Sequence, residues 1–277
     1  MASLLTIITI NFNDFEGLKK TLESVAAQKS KNFEYIVIDG GSKDNSVSLL
    51  DQYKEIITYS QSEPDTGIYN AMNKGIHHAN GKYLLFLNSG DILYDDEVIT
   101  KVNGYLDSNI DFISGNLFYI EKGIGYTRKH PEKLTFSYIV SRTISHPSTL
   151  IRKELFEVYG YYNEKNKIVS DWEFFFKVLG LNGASYKAID VTITNFDMTG
   201  ISSTNHELVF KEKKEVLQRY LPTIFNNEYD SYIFDKFITS NRRIKLLQEI
   251  DKSVKIRKVT SFLLTFLSRI AKLVKLL

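Results

Sequence analysis

The 277-residue chain contains no cysteine. That absence excludes a disulfide framework, a cysteine-ligated zinc site, an iron–sulfur cluster and a thiol nucleophile. Proline is scarce, with four in the whole chain, and no internal repeat or low-complexity linker interrupts it. One continuous compact body is therefore expected rather than modules on strings. No run approaches the roughly 20 apolar residues of a membrane span. The stretch Leu4–Ile10 is apolar but only seven residues long, has no basic residue ahead of it, and is followed at once by Asn11 and Asn13. It reads as a buried first strand and not an export signal, which makes the cytoplasm the expected compartment. Charge of one sign is also missing: 35 Lys and Arg stand against 33 Asp and Glu, a net +2 that does not point to nucleic acid.

What the chain does have is a core. Hydrophobic residues make up 43% and charged residues 25%, the balance of a folded globular protein. Over the first 120 residues strand and helix signals alternate. Strands are expected at Leu4–Ile10, Phe33–Ile38, Ile56–Ser60 and Tyr83–Leu87. Helices are expected from Asp14 to Gln28, where Leu18, Leu22 and Val25 recur at helical spacing, and over Ser46–Tyr53, Ile68–Ala79 and Asp95–Leu106. Such alternation with near-continuous apolar strands predicts an α/β fold, Rossmann-like, with a mostly parallel sheet covered by helices on both faces. Ligands bind beyond the carboxyl ends of strands in such sheets. Three polar loops fall at that edge, Asn11–Asp14, Asp39–Asn45 and Asn88–Asp91, and they should converge in space.

After residue 110 the pattern changes. Asp111–Asn116 and Leu117–Arg128 read as short strands with a Gly123/Gly125 turn, and Asp171–Leu179 as a helix with Trp172, Phe175 and Phe176 inward. From about His206 the chain reads as helical. Between Lys252 and Leu277 there are seven Lys or Arg and no acid, and Val259, Phe262, Phe266, Ile270, Leu273 and Leu277 form an apolar stripe. A basic amphipathic tail of this kind suits an anionic membrane surface, although packing on its own domain or on a second subunit is the alternative.

Four segments carry candidate chemistry, and each alone has an ordinary structural explanation. Asp39, ending a strand before Gly40 and Gly41, can accept from a ligand's N–H groups or simply form a turn with its own backbone. Asp91, in Asn88-Ser89-Gly90-Asp91, can hold a hard divalent cation beside two phosphates, or the loop can merely enter a helix. Asp65, Asn73 and Lys74 add polar groups around a helix starting at the same edge. Asp171 and Glu173 point different ways on a helix, so one is the catalytic candidate and the other is expected to solvate the helix start.

The order of these segments carries more than any one of them. Thr9-Ile10-Asn11-Phe12-Asn13, Val37-Ile38-Asp39-Gly40-Gly41-Ser42-Lys43-Asp44, Ala71-Met72-Asn73-Lys74-Gly75-Ile76, Phe86-Leu87-Asn88-Ser89-Gly90-Asp91 and Asp171-Trp172-Glu173 follow in sequence. His146-Pro147-Ser148 and Gly200-Ile201-Ser202-Ser203 accompany them. Together they resemble the family 2 glycosyltransferases, inverting enzymes of the GT-A fold, and in particular their capsule and exopolysaccharide branch. The resemblance covers roughly residues 3–205.

The resemblance implies a nucleotide-diphosphate-sugar donor, UDP first, and a glycan or lipid-linked acceptor. It implies a glycosyltransferase domain over residues 1–205, with a nucleotide-binding half at 1–115, an acceptor half at 116–205, and a helical extension at 206–277. Phe12 takes the place of the aromatic lying against the base, flanked by Asn11 and Asn13, and Asp39 that of the carboxylate accepting from the base N–H. Asn88-Ser89-Gly90-Asp91 occupies the family's Asp-x-Asp position. Asp91 there matches the acid that holds Mn²⁺ or Mg²⁺, while Asn88 and Gly90 depart from a full set of acids. Asp65, Asn73, Ser89 and Gly90 complete the donor set. Met72 stands where many relatives carry an Arg near the diphosphate, and Lys74 is the substitute cation suggested. Asp171 matches the general base. His206 is a second metal candidate, and His146 lies near a region the family uses for acceptor or metal contacts. A catalytically silent membrane-associated scaffold is the competing class, kept alive by the altered acidic motif and Met72. A nucleotidyltransferase is disfavoured because no glycine cluster follows the first strand. A peripheral position on the inner membrane face follows from the tail, and the oligomeric state is left open.

Overall fold

The computed structural model describes residues 4–121, 123–200, 204–222, 259–260 and 263. The chain divides after Val216 into two units, and the first of them is described below. The basic tail at 253–277 lies outside the described residues except for Val259, Thr260 and Leu263.

Strands β1 (Leu5–Asn11), β2 (Glu34–Asp39), β3 (Tyr59–Ser62) and β4 (Tyr83–Phe86) lie parallel in the order β3-β2-β1-β4. Every residue of β1 and β4 is buried, as expected for parallel strands covered on both faces. Helices α1 (Phe15–Ala26), α2 (Ser46–Gln52) and α3 (Ile68–His78) connect them. Asp14 starts α1 by accepting the Gly17 amide at 3.0 Å, satisfying a donor that has no partner inside the helix. Leu18, Leu22 and Val25 then join Leu5, Ile7, Tyr35 and Val37 in one apolar cluster. On the other face α3 approaches β1 so closely that a Cβ on Gly75 would fall 2.5 Å from Ile8 Cγ2.

The second half begins with β5 (Ile92–Leu93), α4 (Val98–Asn103), β6 (Phe112–Glu121) and β7 (Ile124–Arg128). It continues through α5 (Phe136–Ser141), a 3₁₀ turn at His146–Ser148, β8 (Thr149–Arg152), α6 (Glu154–Tyr159), α7 (Ser170–Phe175), β9 (Tyr186–Phe196) and α8 (His206–Tyr220). These strands extend the sheet from β4 as β8-β6-β9-β5. Strand β8 is antiparallel to both neighbours, β9 runs parallel to β6, and β7 returns from β6 as a hairpin. The sheet is thus parallel where the strand–helix alternation was read and mixed beyond it.

Three expectations shift. The isoleucines 56 and 57 belong to a turn, both amides bonding to the Tyr53 carbonyl, and β3 starts only at Tyr59. The two short strands expected between 111 and 128 are instead the long β6 and the shorter β7. The register of β6 against β9 slips around Asn116, where a Cβ on Gly115 would meet the Val191 carbonyl at 2.5 Å. Helix α7 gives way to a π-helical turn at Phe176–Leu181.

Because α3 has no room over Ile8, Gly75→Val should destabilise the fold by about 1–3 kcal/mol through overpacking. Chemical denaturation would show a lowered midpoint with an unchanged slope; an unchanged midpoint would mean that α3 moves freely on the sheet.

Candidate active site

The three polar loops at the carboxyl ends of the strands do converge. Asn11, buried at the end of β1, donates to Asp39 Oδ1 at 2.8 Å and accepts from the Ser89 hydroxyl at 2.8 Å, so one amide ties all three together. Asn13 takes the left-handed conformation (φ 51°) that Asn tolerates, and its side chain accepts the Lys43 amide at 2.7 Å. Between these anchored residues Phe12 is left 63% exposed. A Cβ on Gly40 would lie 2.5 Å from Asp65 Oδ2 and 3.2 Å from Phe12 Cδ2. Glycine there lets Asp65 and the Phe12 ring close on the end of β2 with no side chain between them. Both line a cleft of about 1210 Å³ that also reaches Asp91, His146 and Asp171.

Asp91 is almost wholly buried. Its Oδ1 accepts the Asp197 amide at 3.0 Å. Burial pushes the carboxyl up to about 7; the His146 charge opposes this, and the nearby Asp197 carboxylate adds to it. Gly90 (φ 96°) turns the loop, and a Cβ there would sit 2.6 Å from Asp197 Oδ2. Asn88 Oδ1 is buried without a hydrogen-bond partner. Asp91, Asp197 and Asn88 thus present oxygen donors, which is the set for a hard cation such as Mg²⁺ or Mn²⁺. Among the described residues no three His, Asp or Glu side chains cluster closely enough to cage a metal alone. Such an ion therefore fits here with oxygens of a ligand completing its shell.

Asp171, in the first turn of α7, is only partly buried, with 14% of its side chain exposed, and its surroundings are opposite in kind. His146 Nδ1 lies 3.0 Å from Oδ2, and the Tyr69 hydroxyl donates to Oδ1 at 2.9 Å while also meeting the Ile168 carbonyl. Burial works to raise the Asp171 carboxyl, but the hydrogen bond and charge of His146 and the Tyr69 bond outweigh it and hold it below the usual value. For His146, burial pulls down, and the Asp171 hydrogen bond and the charges of Asp171 and Asp91 lift it above its ordinary value. The segment carrying the acid is pinned from α8. Buried Glu212 accepts the amides of Lys167, Ile168 and Val169 at 2.7, 2.9 and 3.2 Å.

The remaining predicted residues divide. Asn11, Phe12, Asp65, Ser89, Asp91, Asp171 and His206 line the cleft; Asn13, Asp39, Asn73, Lys74 and Gly90 stand behind or beside its wall. Asp39 is buried and accepts from Asn11, from Ser42 through both amide and hydroxyl, from the Gly41 amide and from Ser62. Asn73 is bound to the backbone of Tyr162 and to Glu164. Lys74 pairs with Glu63 at 2.8 Å. Glu173 corrects its expectation: it is buried, not solvated, because Asn163 and Asn166 donate to it at 3.1 and 2.5 Å. Asp197 and Tyr69 were not singled out from the sequence. Asp197 follows β9, a strand whose mixed polar residues gave no apolar run, and Tyr69 reads as an ordinary helical core aromatic.

The displaced Asp91 carboxyl makes a pH-dependent prediction. Above about pH 4 the unfolded chain loses this proton, while the folded chain keeps it until about 7, so wild-type stability falls across that interval. Asp91→Asn is neutral throughout and escapes the loss. With metal chelated, its melting temperature should exceed that of wild type by a margin that grows from about pH 4 to 7 and then levels. A margin absent at pH 8 would mean that Asp91 is not short of positive charge.

Residues 6–178, more than half of the chain, match the family described as Glycosyl transferase family 2. An uncharacterized glycosyltransferase of Mycobacterium tuberculosis is 32% identical over 206 residues, 73% of this chain and 78% of that protein. A PGL/p-HBAD biosynthesis glycosyltransferase of Mycobacterium bovis is 26% identical over 212 residues, covering 73% and 80%. In fold the chain is similar to S. aureus TarS 1–349 in complex with UDP-GlcNAc, with a TM-score of 0.63 at 18% identity, over 89% of this chain and 78% of that one. It is also similar to a mannosyltransferase of Pyrobaculum calidifontis in complex with GDP-Man and Mn²⁺, with a TM-score of 0.59 at 14% identity, over 80% and 64%. The mixed sheet with its covering helices is of the GT-A type, and the chain belongs to glycosyltransferase family 2.

Proposed function

We propose that this chain moves a hexosyl or N-acetylhexosaminyl group from a nucleotide diphosphate donor, UDP-linked first, to a hydroxyl of a glycan or lipid-linked acceptor in surface polysaccharide biosynthesis, with inversion. The observation that carries this reading is the pairing in one cleft of two carboxylates, Asp91 buried and Asp171 partly buried, with opposite electrostatics. Asp91 lacks positive charge, whereas Asp171 is held ionised by His146 and Tyr69. A metal-diphosphate site and a general base require that division. Supporting it, TarS is solved with UDP-GlcNAc and the P. calidifontis enzyme with GDP-Man and Mn²⁺.

In this reading the base of the nucleotide lies on the exposed Phe12 at the part of the cleft lined by Asp65, Asn11 and Ser89. Asp39 acts through the loop it organises, since its oxygens are already engaged. Asn13 shapes the same wall, Gly90 admits Asp197 to Asp91, and Asn73 ties α3 to the segment ahead of Asp171. Lys74 belongs to the rim, because its charge is met by Glu63. Asp91, Asp197 and Asn88 Oδ1 would hold Mn²⁺ or Mg²⁺, and the ion would supply the charge that stabilises a departing diphosphate; His206 lines the same cleft without clustering with these acids.

Asp171 takes the proton of the acceptor hydroxyl as that oxygen forms its bond to the anomeric carbon. The carbon–oxygen bond to the diphosphate breaks on the opposite face, and its electron pair leaves with the diphosphate. His146 and Tyr69 keep the Asp171 carboxylate oriented during transfer. No covalent sugar–enzyme species is required. The basic tail at 253–277 fits a peripheral position on the inner membrane face beside a lipid-linked acceptor; no helix among the described residues is long and apolar enough to cross a membrane.

Calorimetric titration of UDP, GDP and dTDP, with and without Mn²⁺, should show one nucleotide binding metal-dependently to wild type and losing that dependence in Asp91→Asn. If no nucleotide binds the folded protein, the transferase reading fails and a silent scaffold replaces it. Asp171→Asn should bind the same nucleotide normally and turn over about 10²–10⁴-fold more slowly; near-normal turnover would remove Asp171 from the base position.

A further inference from the structure

The charges lining the cleft are segregated. From the first 115 residues they are all acids, Asp14, Asp65 and Asp91, whereas every lining Lys or Arg comes later: Arg128, Lys167 and Lys213. None of the three forms an ion pair among the described residues. Of the later acids, Asp171 is engaged by His146 and Tyr69, Asp197 lies against Gly90 next to Asp91, and Glu121 stands at the far end of β6.

One of the cations lies beside the candidate base, and the other two line the same cleft. Lys213 Nζ sits 4.5 Å above the ring of Trp172, the residue following Asp171. Its polar contact is the Arg142 carbonyl at 3.4 Å. Burial pushes its ammonium down to about 8, and the Asp171 charge works the other way. Lys167 lies four residues before Asp171 on the segment pinned by Glu212. Arg128 comes from the β6–β7 hairpin: its guanidinium lies 5.6 Å from the centroid of Tyr119, which stacks on Tyr126. The register puts Leu117, Tyr119, Tyr126 and Arg128 on one face of that hairpin. A partly desolvated ammonium without a counter-ion is costly, and an anion brought to it relieves the cost.

We propose that the acceptor is an anionic saccharide, bearing a phosphate ester or a carboxylate close to the hydroxyl that is glycosylated, and that Arg128, Lys167 and Lys213 read this charge. The proposal rests on the transferase reading above and names the acceptor's chemical class. The negative group can be carried on a lipid phosphate or within the glycan, and recognition is the same in both cases.

The test uses full-length protein saturated with Mn²⁺ and the nucleoside diphosphate it binds best. Methyl glucoside, methyl glucuronide, glucose 1-phosphate and farnesyl phosphate are then titrated calorimetrically. The charged probes should bind roughly ten-fold more tightly than methyl glucoside. Arg128→Gln and Lys167→Gln, both at exposed positions, should each remove several-fold of that preference while leaving nucleotide affinity unchanged. Tighter binding of farnesyl phosphate than of methyl glucuronide supports the proposal with a lipid carrier, and the reverse order supports it with an acidic glycan. Equal or undetectable binding of charged and neutral probes overturns it. So does a loss of nucleotide affinity in the two variants, which would assign these cations to the donor diphosphate. Failure of every nucleoside diphosphate to bind wild type defeats the transferase reading itself, a separate outcome read before any acceptor probe is added.

Discussion

A buried carboxylate with too little positive charge around it governs this cleft. Asp91 is held in place by backbone: its own amide on the Asn88 carbonyl, the Asp197 amide on its Oδ1, and the Thr21 hydroxyl on its carbonyl. None of these supplies a full charge, and a second acid stands beside it. Folding therefore stores an electrostatic cost at the end of β4, which a cation would relieve. Asp171 shows the alternative solution within the same cleft, a carboxylate kept ionised by the charge of a histidine and the hydrogen bond of a tyrosine. His146 feels both acids, so the two carboxylates are electrostatically connected through one imidazole.

The architecture explains how residues so far apart in sequence come to share that cleft. The parallel half sends Asn11, Asp39 and Ser89 out of the same sheet edge, and their side chains lock the loops to one another. The mixed half turns back over that edge. The 3₁₀ turn before β8 delivers His146, the start of α7 delivers Asp171, and the end of β9 delivers Asp197. Helix α8, beyond the residues matching the family, contributes Glu212 beneath the Asp171 segment and Lys213 above Trp172. Positioning of Asp171 thus depends on a part of the chain that carries none of the family's motifs.

Much of this was legible in sequence where a local signal was strong. The apolar runs of β1, β2 and β4, the heptad-like spacing of Leu18, Leu22 and Val25, and the three polar loops between elements all lie in the fold as read. The order of short motifs located Asp91 and Asp171, both of which reach the cleft. What escaped was set by tertiary partners. Glu173 reads as a helix-start acid, yet two asparagines seven and ten residues away make its burial tolerable. Lys74 reads as a free cation until Glu63 is found against it. Strand β9 lacks an apolar run because its partial burial allows polar residues, so Asp197 at its end carried no flag. His146 was a lone histidine in sequence, and its weight comes only from the acid that folding brings to its Nδ1.

The most direct measurement is a crystal structure of the full-length protein grown with UDP and Mn²⁺. Metal density bound by Asp91, with the diphosphate against it, the uracil on Phe12 and Asp171 facing the open side of the cleft, is the predicted result. A nucleotide bound elsewhere, or one seated in the cleft with Asp91 turned away from any metal, would contradict it.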